Sequence, residues 1–280
     1  MGFVISTLRQ QLHTPHKPRI TYYYQTLTSL KPLLAAVDND HTLAPRLHVF
    51  LSSIHFGSDA RQQPYIHLND LRPNDPKFTV VWQELKQLCD TGATVGLMVG
   101  GAGGAFSTLF SNFAVFYPML RKLLASKPWI RELDMDVEEQ VPLNSIRMLI
   151  HNLRADFPSL VLTMAPVASA LTSNNPGLGG FCYKQLVSTA EGAAVNRFHG
   201  QFYGCFNADT FQQAVRNGWS PSQIVIGCMM NQDFEQTLQE LKKIQTVYPS
   251  FAGVFVWEYF QAPPDTSNPA QWAVQLVKHI

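Results

Sequence analysis

The feature that most constrains the fold is an alternation of eight short apolar or β-branched segments with helix-like segments along the 280-residue chain. The intervening segments, such as FTVVWQELKQLCDTG, carry apolar residues about every 3.6 positions, which is typical of amphipathic helices. Eight strand–helix units predict a single α/β domain, the closed parallel (β/α)8 or TIM barrel. The predicted strands span residues 19–26, 47–56, 94–101, 130–138, 160–167, 197–203, 223–230 and 253–260.

A doubly wound open sheet is the rival architecture. It usually needs fewer strands and a glycine-rich phosphate turn after the first strand, whereas LTSLKP follows the first strand here. GGAGGAF (100–106) follows the third strand, but it satisfies neither G-x-G-x-x-G nor the P-loop pattern. We interpret these glycines as a close backbone approach at the barrel mouth. The barrel is predicted at 19–280, after a flexible tail at 1–18.

Composition limits the partners and the compartment. Charged residues make up 15% of the chain and the net charge is +1, so we expect neither nucleic acid nor an anionic membrane as a partner. No apolar run reaches 18 residues, and no basic segment precedes the short apolar run at the N-terminus. We therefore expect a cytoplasmic protein, or a secreted one if a leader has been removed. A monomer is expected.

The cysteines show no metal-binding pattern. Cys89, Cys182, Cys205 and Cys228 lack the spacing of a zinc site and are too few for a disulfide scaffold. We interpret them as free thiols, and leave open a Cys205–Cys228 pair. No metal and no cofactor are expected.

The segment RELDMDVEE (131–139) places Asp134, Asp136 and Glu138 at every second position. In a strand these acids share one face, about 6–7 Å apart along the chain. In a barrel that face is the interior, and Glu138 would end the strand at the catalytic mouth. Close carboxylates in a dry interior repel, so at least one pKa should rise, as a general acid requires. Glu139 points the other way and is given no role.

Polar and aromatic residues near other strand ends predict a cleft around these acids. Each one alone is more often a core residue, but together they suit a sugar ring stacked on an indole. They are Tyr22, Tyr24, Phe56, Gln201, Tyr203 and Trp257.

These motifs resemble those of glycoside hydrolase family 18, which comprises chitinases and endo-β-N-acetylglucosaminidases. LDMDVE resembles its D-x-x-D-x-D-x-E signature, LMVGGAGGAF its glycine-rich strand-three motif, QFY its Gln-x-Tyr and GVFVWEYF its strand-eight tryptophan motif. IHLNDLRPNDPKF and MAPVASAL resemble the small fungal endo-β-N-acetylglucosaminidases. The chain departs from the signature at Arg131, where an Asp is usual, and at Glu132, where a Gly is usual. We expect Arg131 to point outward.

The resemblance implies a retaining, substrate-assisted hydrolase of the GlcNAc-β-1,4-GlcNAc bond, acting on the chitobiose core of N-glycans. Glu138 would be the proton donor, Asp136 the partner of the substrate acetamido group, Asp134 the buried residue that tunes Asp136, and Tyr203 the donor to the acetamido oxygen. The implied substrate contacts are Trp257, Gln201, Tyr24, Phe56, Gly101 and Met164.

Two alternatives stay open: a small endo-acting chitinase with the same chemistry, and an inactive, lectin-like barrel that binds GlcNAc oligomers. The residues between the last two predicted strands, 231–252, have room for one helix only. We therefore expect no chitinase insertion subdomain, and a shallow, open groove that receives a GlcNAc-containing oligosaccharide or a glycoprotein N-glycan.

Overall fold

The computed structural model describes residues 17–280, so nearly all of the predicted tail at 1–18 lies outside the described residues. The strands are β1 (Arg19–Tyr24), β2 (Leu47–Ser58), β3 (Pro64–Leu68), β4 (Thr94–Gly100), β5 (Glu132–Asp136), β6 (Val161–Met164), β7 (Arg197–Gln201), β8 (Ile224–Met229) and β9 (Gly253–Trp257). The α-helices are α1 (Lys31–Asn39), α2 (Thr79–Asp90), α3 (Ala105–Ser111), α4 (Phe113–Ala125), α5 (Leu143–Asp156), α6 (Ala168–Thr172), α7 (Tyr183–Val187), α8 (Ala208–Arg216), α9 (Phe234–Val247) and α10 (Ala270–His279).

Eight parallel strands close into a barrel. Their order is β1-β9-β8-β7-β6-β5-β4-β2, and a parallel pairing of β1 with β2 completes the ring. The predicted (β/α)8 barrel is confirmed. Only α9 lies between β8 and β9, so the predicted absence of an insertion subdomain is also confirmed.

The strand β3 was not predicted. It pairs antiparallel with the end of β2, with His55 opposite His67. The pairing of β2 with β4 shifts register between Leu51 and Ile54, and the rest of β2 then forms a hairpin with β3 beside the barrel mouth. The segment PYIHL is short and mixes polar with apolar residues, so it carries little strand signal of its own.

Two apolar layers lie on opposite sides of the barrel wall, because strand side chains alternate between the faces. The outer layer packs the strands against the helices and includes Tyr22, Leu133 and Met135. The inner layer is smaller; it includes Tyr23, Phe50, Met98, Val225 and Phe255. Polar side chains on the inner face of β5 therefore lie inside the barrel, next to the aromatic side chains of the inner layer.

Two further findings concern the chain as a whole. Within residues 17–280, no helix combines the length and the apolar character needed to cross a membrane. All four cysteines are free thiols, so Cys205 and Cys228 do not pair.

Candidate active site

The inner face of β5 carries the predicted acids to the mouth of the barrel. Asp134 and Asp136 alternate with the outward-facing Leu133 and Met135, and all are buried because β4 and β6 flank the strand. Glu138 lies two residues beyond the end of β5, not at its last position as predicted, and is half-buried. This places its carboxyl group in the mouth, where it can reach a ligand.

A cavity of about 360 Å³ opens at this mouth. It brings together six of the predicted site residues, namely Gly101, Asp136, Glu138, Gln201, Tyr203 and Trp257. Its remaining wall is formed by Gln25, Ser53, Met98, Gly100, Ala102 and Met229. Asp134 lies beneath it, fully buried.

Gln201 ties the two carboxyl groups of the mouth together. Its Nε2 lies 3.0 Å from Asp136 Oδ1, 3.2 Å from Glu138 Oε1 and 2.9 Å from the carbonyl oxygen of Ala165. All three neighbours accept hydrogen bonds, so the NH₂ end of the amide must face them. The amide has two hydrogens for three acceptors, so it cannot satisfy all of them at once. A proton held between Asp136 and Glu138 can supply the missing hydrogen bond.

The electrostatics of the buried acids follow from burial and mutual repulsion. Burial, reinforced by the charges of Glu138 and Asp134, raises the pKa of Asp136 well above its ordinary value. Burial also raises the pKa of Asp134 to about 6, although hydrogen bonds from Thr163 and Tyr23 oppose the shift. The predicted rise of at least one carboxyl pKa is confirmed.

Aromatic side chains line the cavity opposite the acids. Trp257 ends β9, and its ring centroid lies 5.5 Å from that of Tyr23 below it. Burial, and then the nearby Asp136 charge, raise the pKa of the Tyr203 phenol well above its ordinary value. Tyr203 therefore stays protonated at neutral pH and can donate a hydrogen bond into the cavity.

The glycine-rich loop after β4 approaches the β5 backbone closely. Gly100 has φ +100°, and a Cβ there would lie 2.2 Å from the carbonyl oxygen of Asp136. The next amide, of Gly101, donates to the same oxygen at 2.8 Å. The predicted close backbone approach is confirmed, and its role is to fix the chain that carries Asp136.

The fold resembles that of solved glycoside hydrolases. A fungal endo-beta-N-acetylglucosaminidase from glycosyl hydrolase family 18 matches with a TM-score of 0.81 and 29% identity, over 94% of this chain and 97% of that chain. Chitinase ChiC from Aspergillus fumigatus matches with a TM-score of 0.79 and 29% identity, over 93% and 98%. The chain is a glycoside hydrolase similar to the enzymes of family 18.

Solved structures with lower sequence identity share the fold. A GH18 chitinase from Pseudoalteromonas aurantia has a TM-score of 0.70 at 17% identity, over 94% of this chain and 100% of that chain. Protein-family models and curated protein sequences gave no match.

Three of the predicted substrate contacts do not lie at the cavity, so these predictions are wrong. Tyr24, Phe56 and Met164 all lie in the outer layer, away from the cavity. The Tyr24 hydroxyl donates to the carbonyl oxygen of Thr28, and the Phe56 ring packs on Phe116 of α4. Tyr22 also faces outward, against Trp272 of α10.

These errors have physical causes. The three consecutive tyrosines of β1 give no alternation of polar and apolar residues, so the sequence does not show which of them face inward. Tyr22 and Tyr24 were predicted to face inward, but Tyr23 does. In β2 the register shift between Leu51 and Ile54 reverses the alternation before Phe56. In β6 the inward residue is Thr163, which donates to Asp134, so the adjacent Met164 faces the helices.

Sequence reasoning missed several residues that shape the site. Glu258 accepts hydrogen bonds from the backbone amides of Gln25 and Thr26, at 2.7 and 2.9 Å, and so fixes the loop after β1 at the cavity wall. Glu139, which was given no role, accepts from the amides of Phe106 and Ser107 at the start of α3. Its period-two position had suggested only that it points away from the acids.

The two departures from the family signature fall on opposite faces. Arg131 is exposed, as expected, and keeps its backbone bonds to β4 and β6. Glu132 shares the inward face with Asp134 and is buried at the barrel floor, where it contacts His48 at 3.2 Å. A fourth acid of the period-two series was therefore present in the sequence but was not recognised.

A second cavity, of about 450 Å³, lies outside the barrel beside Trp82, Met119 and Lys122. Its only acid is Asp75, so it lacks a pair of carboxyl groups. Within residues 17–280, no group of three or more His, Cys, Asp or Glu side chains is arranged to hold a metal ion.

Proposed function

We propose that this glycoside hydrolase cuts the GlcNAc-β-1,4-GlcNAc bond of the N-glycan chitobiose core, with retention and with the substrate's acetamido group as nucleophile. The observation that carries the proposal is that Asp136 and Glu138 approach the same Gln201 amide. Retaining enzymes with two carboxylates place them on either side of the scissile bond, one as nucleophile. Here both lie on one side, which supports a nucleophile supplied by the substrate.

In the first step Glu138 protonates the glycosidic oxygen. The raised pKa of Asp136 means that the Asp136–Glu138 pair retains a proton near neutral pH. The acetamido carbonyl oxygen attacks C1 as the bond to the leaving group breaks, which forms an oxazolinium ion. Tyr203 donates to that carbonyl oxygen, and Asp136 accepts the acetamido N–H as positive charge develops.

In the second step Glu138, now a carboxylate, takes a proton from water, and the water oxygen attacks C1 and opens the ring. Trp257 provides an apolar floor for the sugar. Asp134 lies directly below, and its negative charge contributes to holding the Asp136 pKa high. All of these side chains come from one chain, which supports action as a monomer.

Two observations bear on the substrate. The open barrel mouth carries only α9 between β8 and β9, which suits an endo-acting enzyme that meets a branched glycan. A fungal endo-beta-N-acetylglucosaminidase and a chitinase both share 29% identity with the chain, and the second favours a small chitinase as the alternative. Retention of Asp136 and Glu138 disfavours a lectin-like barrel that only binds.

The test compares glycoproteins that carry high-mannose, hybrid or complex N-glycans with chitin oligomers, using mass spectrometry of the products. The proposal expects protein that keeps a single GlcNAc on each released site. Cleavage of chitin oligomers alone would replace it with the chitinase alternative. Binding of both substrates without cleavage of either would favour the lectin-like barrel.

A further inference from the structure

A buried histidine lies beneath the acids and takes no part in the chemistry described so far. Tyr23 Oη is 2.8 Å from Asp134 Oδ2 and also 2.8 Å from His199 Nδ1. The exposed fractions are 2% for Tyr23, 0% for Asp134 and 1% for His199, so water does not compete for these bonds. The three side chains form a continuous column from β5 through β1 to β7.

One phenolic hydrogen cannot serve both neighbours of Tyr23. When Asp134 is a carboxylate, it takes that hydrogen, because a charged acceptor forms the stronger bond. The phenol oxygen then accepts, and His199 must carry its proton on Nδ1. When Asp134 holds a proton on Oδ2, that proton is donated to the phenol oxygen, and the phenolic hydrogen turns to His199, whose Nδ1 must be bare.

We propose that His199 is a positioning residue for hydrolysis, because its neutral tautomer follows the protonation state of Asp134 through the Tyr23 hydroxyl. The inference rests on the proposed function only in that Asp134 lies beneath the reacting Asp136. No substrate reaches His199, so it acts through Tyr23 and Asp134.

The proton count balances in both directions. A proton that binds His199 Nε2 allows Nδ1 to pass its own proton to the Tyr23 oxygen, and the phenolic proton moves to Asp134 Oδ2. The column then holds an Nε2–H imidazole, a neutral phenol and a neutral carboxylic acid. Reversal of these steps returns the carboxylate and the Nδ1–H tautomer, so the Tyr23 hydroxyl donates one hydrogen bond and accepts one in both states.

The groups around His199 keep it neutral. Burial lowers the pKa of His199 to about 3, so it changes tautomer rather than charge near neutral pH. The titratable and charged groups that face it are Arg19 and Tyr23 from β1, His48 from β2, Glu132 and Asp134 from β5, and Arg197 on its own strand.

Below the column, Arg19, His48 and Glu132 form a second chain of hydrogen bonds, and Arg19 sets its direction. Arg19 Nε can only donate, and it donates to His48 Nε2 at 3.1 Å. His48 therefore carries its proton on Nδ1 and donates it to Glu132 Oε2 at 3.2 Å. Burial disfavours the Glu132 charge, but His48 and Arg19 more than offset this and hold its pKa below the ordinary value.

The experiment is ¹⁵N NMR of the whole chain with labelled histidines, between pH 4.5 and 8. Ring-to-ring Overhauser contacts with Phe50, at a centroid distance of 5.0 Å, identify His199 without a mutation. We expect the Nε2–H tautomer of His199 at low pH and the Nδ1–H tautomer at high pH, with the change centred near the Asp134 pKa of about 6.

A single His199 tautomer over the whole range overturns the proposal; this is the result if Asp134 takes its proton on Oδ1, beside Thr163. Conversion of His199 to the imidazolium form also overturns it. In Tyr23→Phe the link is absent, so a pH response of the His199 tautomer that survives there contradicts the mechanism. Because these readouts need no turnover, they succeed or fail independently of the glycan-release test.

Kinetics supply a second readout. In the folded His199→Phe variant, we expect kcat to fall about tenfold, because one buried hydrogen bond is lost. KM should stay within a factor of two of the wild-type value. The pH profile of kcat should shift as well. An unchanged profile in the folded variant would assign His199 a packing role only and overturn the proposal.

Discussion

Asp136 and Glu138 meet at one nitrogen atom, the Gln201 Nε2 that lies 3.0 Å from the first and 3.2 Å from the second. Because Asp136 ends β5 and Glu138 lies in the loop beyond it, this amide links the acid of the loop to the acid of the strand. The pair therefore acts as a unit that shares a proton, and most of the predictions below perturb that unit or its support.

Glu138→Gln should lower kcat/KM by a factor of about 10² to 10⁴ or more, because it removes the group that acts as proton donor and then as base. General acid–base catalysis typically contributes a factor of this size. The measurement is steady-state hydrolysis beside calorimetric binding of a GlcNAc oligomer, which should persist. Glu139→Gln is the matched control: this neighbour caps α3 and does not line the cavity, and its charge makes only a lesser contribution to the raised Asp136 pKa, so the activity should stay within a few-fold. Near-wild-type turnover of Glu138→Gln would contradict the assignment.

Gln201→Leu should reduce kcat/KM about 10–100-fold, because hydrogen bonds to charged groups contribute about 1.5–3 kcal/mol. The same change removes the donor that stabilises the Asp136 carboxylate, so the acid limb of the kcat profile should move to higher pH. Full pH–rate profiles of both proteins test this, and an unmoved acid limb would show that the amide does not control the pair.

Tyr203→Phe should lower kcat more than it raises KM, because the hydroxyl acts on the acetamido oxygen as charge develops. Tyr24→Phe is the matched control, since the Tyr24 hydroxyl bonds to the Thr28 carbonyl on the outer side of the barrel. That variant should lose some thermal stability and keep its kinetic constants. Equal kinetic losses in the two variants would contradict the assignment of their faces.

Gly100→Ala should destabilise the fold far more than Gly92→Ala. Both glycines have φ near +100°, but a Cβ at Gly92 meets nothing within 4 Å, whereas one at Gly100 lies 2.2 Å from the Asp136 carbonyl oxygen. We expect about 1–2 kcal/mol for Gly92→Ala from the backbone conformation alone, and a clearly larger loss with impaired activity at Gly100. Urea unfolding measures both, and similar losses would rule out the close approach as the reason for this glycine.

The free energy of unfolding should depend on pH through the ionisation of Asp134. Its folded pKa, about 6, lies above an unfolded value of about 3.9, so its contribution is fully present below pH 4 and is lost as the pH rises through 6. Asp134→Asn cannot ionise, so its free energy of unfolding should rise relative to wild type by about 2–3 kcal/mol between pH 4 and 7. Parallel stability curves for the two proteins would contradict a raised pKa at Asp134.

Much of this architecture was accessible from the sequence because two periodicities are strong. Helical spacing between eight apolar runs predicts the barrel, and period-two acids place Asp134 and Asp136 on its inner face. The same rule places Glu132 on the inner face as well, although this position was not predicted. Gln201, Tyr203 and Trp257 lie at or just beyond the ends of regular strands, so their positions at the mouth followed as well.

The remaining features depend on tertiary detail that no periodicity records. The three tyrosines of β1 give no alternation, and only the packing of Tyr23 inside the ring decides the phase. The register shift in β2 reverses the face of Phe56, and the β3 hairpin depends on that shift. The partnership of Tyr23, Asp134 and His199 joins residues that are 111 and 176 positions apart from Tyr23.

The central claim is that the substrate's acetamido oxygen is the nucleophile in this barrel. The most direct test measures kcat/KM on substrates whose reacting sugar carries acetamido, monofluoro-, difluoro- or trifluoroacetamido groups, which differ little in size but fall steadily in carbonyl nucleophilicity. The account predicts a steep, continuous fall in kcat/KM along this series. A flat series would contradict it and assign the nucleophile to the protein.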